Sequence, residues 1–153
     1  MMTVRHAKKV ARHWVEEEAS RMPGFFGAFY HGSIGWLPDE ATFPATSDVD
    51  IMVVLSEPPP VKLGKFIYRD VLLEVSYLRR DQLQLPEQVL GVSHLAGSFR
   101  APSVICDPTG QLSRLQAAVA RNYAKRKWVY KRCEHARDKV LRNLAGLNEA
   151  DQF

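Results

Sequence analysis

The chain has 153 residues, of which 46% are apolar and 25% are charged, and its formal net charge is +4. These values are those of an ordinary globular domain, and they argue against intrinsic disorder, collagen-like repetition and a disulfide-stapled miniprotein. The charge is unevenly distributed: residues 1–110 carry 11 basic and 13 acidic groups (net −2), whereas residues 111–153 carry 10 basic and 4 acidic groups (net +6). We therefore expect two units, a folded domain over 1–110 and a basic helical extension over 111–153.

Signals for targeting, disulfides and zinc are absent from the sequence. The N-terminus lacks the apolar core of a signal peptide, and no uninterrupted apolar stretch approaches the roughly 18 residues of a membrane span. We therefore expect a cytoplasmic protein without a membrane partner. Cys106 and Cys133 lie far apart in the sequence, which favours reduced thiols. The five histidines form no local cluster, so no zinc site is expected.

The first third of the chain predicts a helix, a strand and a loop. Residues 3–21 place apolar side chains at helical spacing, and Pro23-Gly24 ends this helix. The apolar stripe consists of Val4, Ala7, Ala11, Trp14 and Val15. A short apolar run over 24–30 predicts a buried strand that stops at His31-Gly32-Ser33. The stretch 34–46 has two prolines and no clear period, so we expect mostly loop, opening with a helical turn.

Two strands with one apolar and one mixed face are predicted next. In residues 48–55 the odd positions are all branched aliphatics, whereas the even positions begin with Asp48 and Asp50. Side chains of a strand alternate between its faces, so one face belongs to the core and the other is polar at its N-terminal end. The run 66–78 repeats this pattern, and a tight turn at Arg69-Asp70 would divide it into two short strands.

The remaining sequence is mainly helical. Residues 81–90 predict a helix with Asp81 as its cap, and residues 103–106 predict a short strand. After residue 110 a helical stripe of apolar side chains predicts either one long helix or two helices broken near 125–127. Helices and strands interleave, so the expected class is α/β (α+β): a small mixed β-sheet packed by helices, with a C-terminal helical tail.

Three carboxylates fall on the polar faces of the predicted strands. Asp48 and Asp50 are two residues apart, hence on one face and roughly 6.6 Å apart along the strand. Their like charges raise each other's energy unless a cation lies between them, and Mg²⁺ suits such oxygen ligands. Glu74 on the neighbouring strand is a candidate third ligand or general base, and Asp70 competes with it for this role. Singly, Asp48 would be a strand-entry cap and Glu74 an exposed residue, but the set of three is harder to explain in that way.

Gly32-Ser33 follows a predicted strand and precedes a predicted helical turn. Glycine lets the backbone approach a bulky anion, and a serine hydroxyl with the following N–H groups can hold phosphate oxygens. The dipeptide alone is a weak signal, because most such dipeptides are merely turns. The order strand, Gly-Ser, loop, Ser-Asp-x-Asp, strand, Glu-bearing strand is much more specific.

That order resembles the nucleotidyltransferase superfamily typified by DNA polymerase beta. Gly32-Ser33 is followed after 13 residues by Ser47-Asp48-Val49-Asp50 and then by Leu73-Glu74-Val75. The closer similarity is to the aminoglycoside nucleotidyltransferases and to the minimal nucleotidyltransferases, and it covers residues 25–78 most strongly. The resemblance implies a nucleotidyltransferase fold with its catalytic domain over 1–110.

The resemblance also implies a chemistry for these residues. The implied nucleotide-binding residues are Gly32, Ser33 and Ser47, which would hold the triphosphate of ATP or another nucleoside triphosphate. Asp48, Asp50 and Glu74 would bind two Mg²⁺ ions, with Mn²⁺ as the alternative metal, and Glu74 would also serve as general base. The expected enzyme transfers a nucleoside monophosphate to a hydroxyl of a small-molecule acceptor and releases pyrophosphate.

Two other functions stay open at this point. A minimal nucleotidyltransferase of the toxin-antitoxin type would modify a protein or RNA partner, and the basic tail fits that interpretation. A non-catalytic domain would only bind a nucleotide or a partner. The intact set of three acids argues against the non-catalytic alternative.

The basic tail allows three interpretations. Its cations would contact nucleic-acid phosphates, form the solvated face of an amphipathic helix, or face the phosphates of a bound nucleotide, and the solvated face is favoured over nucleic acid. These tail cations are Arg121, Lys125, Arg126, Lys127, Lys131 and Arg132. The aromatic residues among them, Tyr123, Trp128 and Tyr130, would alternatively pack across a homodimer interface.

Three further residues have structural interpretations. His31 precedes the Gly-Ser pair and is expected to be a neutral histidine packed at the strand end, with phosphate contact as the alternative. Asp107 is expected to cap the helix that begins near Gly110. Trp14 lies on the apolar helical stripe and is expected to pack in the core rather than to stack on a base.

Overall fold

The computed structural model describes residues 1–150, with side chains as far as Asn148. The α-helices are α1 (Val4–Glu17), α2 (Pro86–Leu90), α3 (Ser93–Phe99), α4 (Gln111–Asn122) and α5 (Arg126–Ala150). The strands are β1 (Phe25–His31), β2 (Val49–Leu55), β3 (Gly64–Tyr68), β4 (Val71–Arg79) and β5 (Val104–Cys106). Short 3₁₀-helices span Ala19–Arg21, Gly32–Gly35 and Arg80–Leu83.

The five strands form one mixed sheet in the order β3-β4-β2-β1-β5. Strands β2 and β4 are parallel, and the other neighbouring pairs are antiparallel. The crossover from β2 to the parallel β4 contains the edge strand β3, which forms a hairpin with β4. Helices cover both faces of the sheet, so the expected α/β class, with a small mixed sheet packed by helices and a C-terminal helix, is confirmed.

Each face of the sheet has its own apolar core, because the side chains of β2 alternate between the two faces. Its odd positions pack with α1, whereas Met52 and Val54 pack with the helices that follow the sheet. The second core joins Phe29 of β1 to Leu112 of α4, so the helix after residue 110 shares its core with the sheet. The even positions of β2 are apolar at Met52 and Val54 but acidic at Asp50. This face is therefore polar at the N-terminal end of the strand.

The first helix, the first two strands and the hairpin match their predictions closely. The predicted apolar stripe of α1, including Trp14, is buried, and Thr3 caps the helix by accepting a hydrogen bond from the His6 N–H. The helix ends at Glu17, four residues before the predicted end, and one 3₁₀ turn follows. Arg69 and Asp70 form the tight turn between β3 and β4, with Arg69 at a φ of 57°.

The single helix predicted over 81–90 is wrong. A 3₁₀-helix ends at Leu83, and α2 begins separately at Pro86. Proline has no N–H to donate to a preceding turn, but it fits the first position of a new helix, which explains the break. Asp81 lies within the 3₁₀-helix and pairs with Arg79 at 3.4 Å instead of capping. The following helix α3 has seven residues and was not predicted, since two turns are too short for a clear periodic pattern.

The helical region after residue 110 consists of two helices, which is the second of the two predicted alternatives. Asp107 caps α4 as expected, because its carboxylate accepts the N–H groups of Leu112 (3.2 Å) and Ser113 (2.8 Å). Arg132 of α5 donates to the carbonyl oxygens of Leu90 and Tyr123, which fixes α5 against the end of α4. Both cysteines are free thiols, as expected. Among the described helices, none combines the length and apolar character that a membrane span requires.

The aromatic residues of the tail do not form one surface. Trp128 is buried in the core of its own chain, so of the three aromatic residues named for a homodimer interface it is already packed, and that interface stays a prediction. Beyond it, the apolar side chains of α5 are exposed: Val129, Tyr130, Val140, Leu141, Leu144 and Leu147. Of the tail cations, all but the half-buried Arg132 are exposed, which matches the favoured solvated face.

Candidate functional site

Asp48, Asp50 and Glu74, the acidic cluster, meet at one end of the sheet. Asp50 on β2 and Glu74 on β4 are directly paired in the parallel register, and Asp48 immediately precedes β2. One ligand oxygen from each carboxylate lies within 4.8 Å of the others. Paired residues of neighbouring strands point to the same face, and Asp48 is two residues from Asp50, so strand geometry alone brings the three together.

The acidic cluster lies on the face of the sheet that carries Met52 and Val54, at the end of β2 that precedes these two buried residues. On this face of β2 the residues Met52 and Val54 are buried, whereas Asp50 is half-buried. The side chains of Asp48 and Glu74 keep 20% and 22% of their accessible surface. The carboxylates are thus shielded enough to repel each other strongly and still open to a ligand.

Two lysines from the edge of the sheet offset the negative charge. Lys65 on β3 donates to an Asp48 oxygen at 2.7 Å, and Lys62 just before β3 donates to a Glu74 oxygen at 2.8 Å. The hydrogen bond to Asp48, followed by the charges of Asp48 and Glu74, raises the pKa of Lys65, so this amine stays protonated. Sequence reasoning missed both lysines, because only the pairing of β3 with β4 brings Lys65 and the segment before β3 next to the carboxylates.

The three carboxylates do not all ionise with the same ease. Burial, followed by the hydrogen bond with Glu74 and by the charges of Asp48 and Glu74, raises the pKa of Asp50 to about 7. Hydrogen bonds from Lys62 and from Asp50 lower the pKa of Glu74 below its ordinary value. The two shifts have opposite directions because burial disfavours the charged form of Asp50, whereas the hydrogen bond from Lys62 favours the charged form of Glu74.

Gly32 lies directly against the cluster. It follows β1, and its backbone φ of +72° is a conformation that side-chain-bearing residues rarely adopt. A β-carbon at this position would stand 2.5 Å from Asp50 Oδ2, well inside contact distance. Glycine is thus required twice, by the backbone conformation and by the small space beside Asp50. Ser33, the next residue of the Gly32–Gly35 turn, is exposed to solvent.

The other two predicted site residues are placed differently. Ser47 adjoins Asp48 in the sequence, and its N–H donates to Pro44 O at 3.0 Å in the turn that leads into β2. Its nucleotide-binding role stays a prediction. Asp70, the competitor of Glu74, lies in the β3–β4 turn, with its Oδ2 2.9 Å from His6 Nε2. The geometry therefore brings Glu74 and not Asp70 to the cluster.

His31 is the strand neighbour of Asp50 across β1 and β2. Its Nδ1 lies 2.6 Å from the hydroxyl of Ser98 on α3, and burial lowers its pKa. Both observations fit the expected neutral, packed histidine. Ser98 was not singled out from the sequence, because the helix that carries it was not predicted.

The acidic cluster fits a divalent cation by the chemistry of its donors. All three ligands are carboxylates, and hard oxygen donors are those that Mg²⁺ and Mn²⁺ prefer. The arrangement also carries a partly protonated Asp50 and two lysine ion pairs, which are the features expected where carboxylates are gathered without their cation. Asp48, Asp50 and Glu74 are therefore the residues that would hold the metal.

Comparisons with known proteins add no family assignment. No protein-family model matches the chain, and no curated protein matches it significantly.

Proposed function

We propose that the protein is a metal-dependent nucleotidyltransferase, an enzyme that transfers a nucleoside monophosphate from a nucleoside triphosphate to a hydroxyl group. One observation carries the proposal: the strands gather Asp48, Asp50 and Glu74 beside the left-handed Gly32. This is the juxtaposition that the resemblance to the DNA polymerase beta superfamily leads one to expect. The proposed cofactor is Mg²⁺, as two ions, with Mn²⁺ as the alternative.

Each residue has a defined task in this reaction. The Gly32–Gly35 turn binds the triphosphate through backbone N–H groups and the Ser33 hydroxyl, and Ser47 assists from the next loop. The acceptor oxygen forms a bond to the α-phosphorus, the bond from that phosphorus to the bridging oxygen breaks, and pyrophosphate leaves. Glu74, which Lys62 keeps ionised, accepts the proton of the acceptor hydroxyl. Bound divalent cations supply positive charge toward the attacking oxygen and the leaving pyrophosphate.

A small molecule is the proposed acceptor. The acidic cluster is only partly shielded, so a small hydroxylated compound can reach it. The exposed apolar side chains of α5 favour one second candidate, in which the acceptor is a protein partner that docks on this helix. Nucleic acid is not favoured, because the tail cations other than Arg132 are exposed to solvent, as the polar surface of an amphipathic helix is.

The test uses each α-labelled nucleoside triphosphate with Mg²⁺ and a panel of hydroxylated acceptors. We expect transfer of label with stoichiometric pyrophosphate, loss of transfer in excess EDTA, and loss of transfer in Asp50→Ala. Glu57→Ala is the matched control, because Glu57 is an exposed acid in the loop after β2. Full activity of Asp50→Ala would contradict the site assignment, and label on a co-purifying protein would favour the second candidate.

A further inference from the structure

A cavity lies on the opposite face of the sheet from the acidic cluster. It has a volume of about 430 Å³ and lies between α1, the Gly32–Gly35 turn and the residues that precede β5. Its wall includes four cations and one carboxylate, together with a tyrosine and a serine: Arg5, Lys8, Lys9, Arg12, Asp39, Tyr30 and Ser103. Tyr30 packs with the core beneath α1, whereas the next residue, His31, shares the face of Asp50. A ligand in this cavity is therefore separated from the acidic cluster by the sheet.

The four cations of the cavity form a stripe along α1. They occupy positions i, i+3, i+4 and i+7, which share one helix face and spread over about 10 Å of its length. This basic stripe (Arg5, Lys8, Lys9 and Arg12) places like charges next to each other, and such pairs disfavour the helix unless an anion offsets them.

The carboxylates nearby neutralise only one end of the basic stripe. Asp39 accepts from Lys8 at 3.0 Å and lies 3.9 Å from Arg5, which also pairs with Glu40. At the other end, Arg12 donates to the uncharged carbonyl oxygen of Ile105 at 2.8 Å. Within the part of the chain that the structure describes, neither Lys9 nor Arg12 has a carboxylate partner.

Ser103 provides an independent sign of a missing partner. Only 5% of its surface is accessible, and within residues 1–148 its hydroxyl has no hydrogen-bond partner. A buried hydroxyl without a partner is costly, and native proteins rarely keep one. Ser103 lines both this cavity and the smaller space beside it that reaches Gly32. The cavity wall thus contains a buried hydroxyl that lacks a partner.

We propose that this cavity binds a small compound that carries two or more phosphate groups. Lysine, arginine and hydroxyl groups donate hydrogen bonds to phosphate oxygens, and charge-assisted bonds of this kind are the strong ones. A single phosphate contacts only neighbouring cations, whereas a linear triphosphate extends along most of the roughly 10 Å of the basic stripe. The volume lies in the range of small-molecule sites. The inference does not depend on the proposed nucleotidyl transfer.

The test is calorimetric titration of the full chain with inorganic tripolyphosphate, in excess EDTA and at fixed ionic strength. We expect saturable binding of one equivalent, and at least about tenfold weaker binding in the double variant Lys9→Gln, Arg12→Gln. The control is Arg137→Gln with Arg142→Gln, which removes the same charge from exposed positions on α5 and should bind like the wild type. Equal weakening in both double variants, or no saturable binding by the wild type, would overturn the proposal.

Two single variants separate this site from the nucleotide site and from a merely structural role. Ser103→Ala should weaken tripolyphosphate binding without lowering the melting temperature, because it removes an unpaired buried hydroxyl. Ser33→Ala should leave this EDTA-insensitive binding unchanged. The proposal fails if Ser33→Ala abolishes tripolyphosphate binding while the α1 double variant retains it. That result would place the phosphates at the Gly32–Gly35 turn instead.

Discussion

Gly32 is the residue on which the geometry of the acidic cluster depends most sharply. Its φ of +72° and the 2.5 Å from its hypothetical β-carbon to Asp50 Oδ2 are separate constraints on the same residue. The sequence suggested Gly32 for a different reason, the close approach of a phosphate. The contact with Asp50 was not predictable, because it depends on the antiparallel register in which His31 pairs with Asp50.

Gly32→Ala should therefore destabilise the protein and weaken binding of Mg²⁺. The left-handed backbone alone should lower the free energy of unfolding by about 1–2 kcal/mol, and displacement of Asp50 adds to this. The measurement is urea denaturation together with a Mg²⁺ titration. Gly146→Ala is the control: it lies within α5 with open space around it, and should stabilise by up to about 1 kcal/mol. Equal unfolding curves for the two variants would contradict the account.

Asp50 should make metal binding depend on pH near neutrality. Its pKa of about 7 in the metal-free protein means that a proton must leave before the carboxylate can bind a cation. The affinity for Mg²⁺ should therefore rise with pH through about 7 and then level off. Calorimetry in buffers of different ionisation enthalpy should detect the released proton at pH 6.5. Binding of Mg²⁺ that is independent of pH between 6 and 8 would contradict this.

Without metal, the raised pKa of Asp50 should make the folded protein more stable as the pH falls, which is the opposite direction to the pH dependence of metal binding. The folded-state pKa of Asp50 lies above its ordinary value of 3.8, so the folded protein binds the proton more tightly than the unfolded chain. The contribution of Asp50 should thus grow as pH falls through about 7 towards 4. Thermal unfolding in EDTA across this range measures it, and Asp50→Asn should flatten the dependence. An unchanged slope in Asp50→Asn would assign the effect to other groups.

Lys65 should compete with the metal. Its ammonium group holds an Asp48 oxygen at 2.7 Å, and a divalent cation at the cluster would have to displace it or tolerate its charge. Lys65→Met should therefore strengthen Mg²⁺ binding several-fold, up to about tenfold, although it removes an ion pair. Calorimetric titration measures this, with Lys125→Met as an exposed control on the far side of the helices. Weaker Mg²⁺ binding in Lys65→Met would show that Lys65 supports the site instead.

At the scale of elements, the cap of α4 gives the most direct stability test. Asp107 accepts two N–H groups from the first turn of α4, and this helix fills the second core with Leu112. Asp107→Ala should lower the free energy of unfolding by about 1 kcal/mol, whereas Asp107→Asn should lose less because its amide oxygen still accepts. Urea denaturation measures both. Identical losses would show that the charge matters and the hydrogen bonds do not.

Elements with a strong local pattern were predictable, and those set by tertiary contacts were not. The alternation in β2 identified this strand to within one residue, and the apolar stripe of α1 identified the helix and its start but placed its end four residues too late. Helix α3 was missed because seven residues give no clear period, and its contribution of Ser98 beside His31 was missed with it. The sequence left open whether the helix breaks before α5. The position of α5 depends on tertiary hydrogen bonds, which Arg132 donates to the carbonyl oxygens of Leu90 and Tyr123.

At the candidate site, the sequence predicted which carboxylates come together but not the lysines that pair with them. The period of two put Asp48 and Asp50 on one face, and the parallel register added Glu74. Lys62 and Lys65 were not predicted, since the pairing of β3 with β4 decides whether they reach the acids. The choice between Asp70 and Glu74 likewise required the hairpin, which turns Asp70 away towards His6.

At the scale of the whole molecule, the sheet separates two regions of opposite charge. The acidic cluster lies at the rim of one face, and the basic stripe of α1 lies over the other face. The net charge of +4 does not reveal this division, because it adds the charges of both regions together. Within each region opposite charges also offset part of the total: Lys62 and Lys65 at the acidic cluster, and Asp39 at the basic stripe. A divalent cation and a polyphosphate compound are thus expected at different places on one small fold.

The most direct test of the central claim is nucleotide binding, which does not require the acceptor to be known. The wild type should be titrated calorimetrically with a nucleoside triphosphate analogue whose α,β-bridge cannot be cleaved, once with Mg²⁺ and once with EDTA. Asp50→Ala and the Glu57→Ala control should be titrated in the same way. The account predicts a Mg²⁺-dependent binding event in the wild type and in Glu57→Ala that Asp50→Ala lacks; any binding that persists in EDTA belongs to the basic stripe of α1. Equal Mg²⁺-dependent binding by Asp50→Ala and the wild type would contradict it.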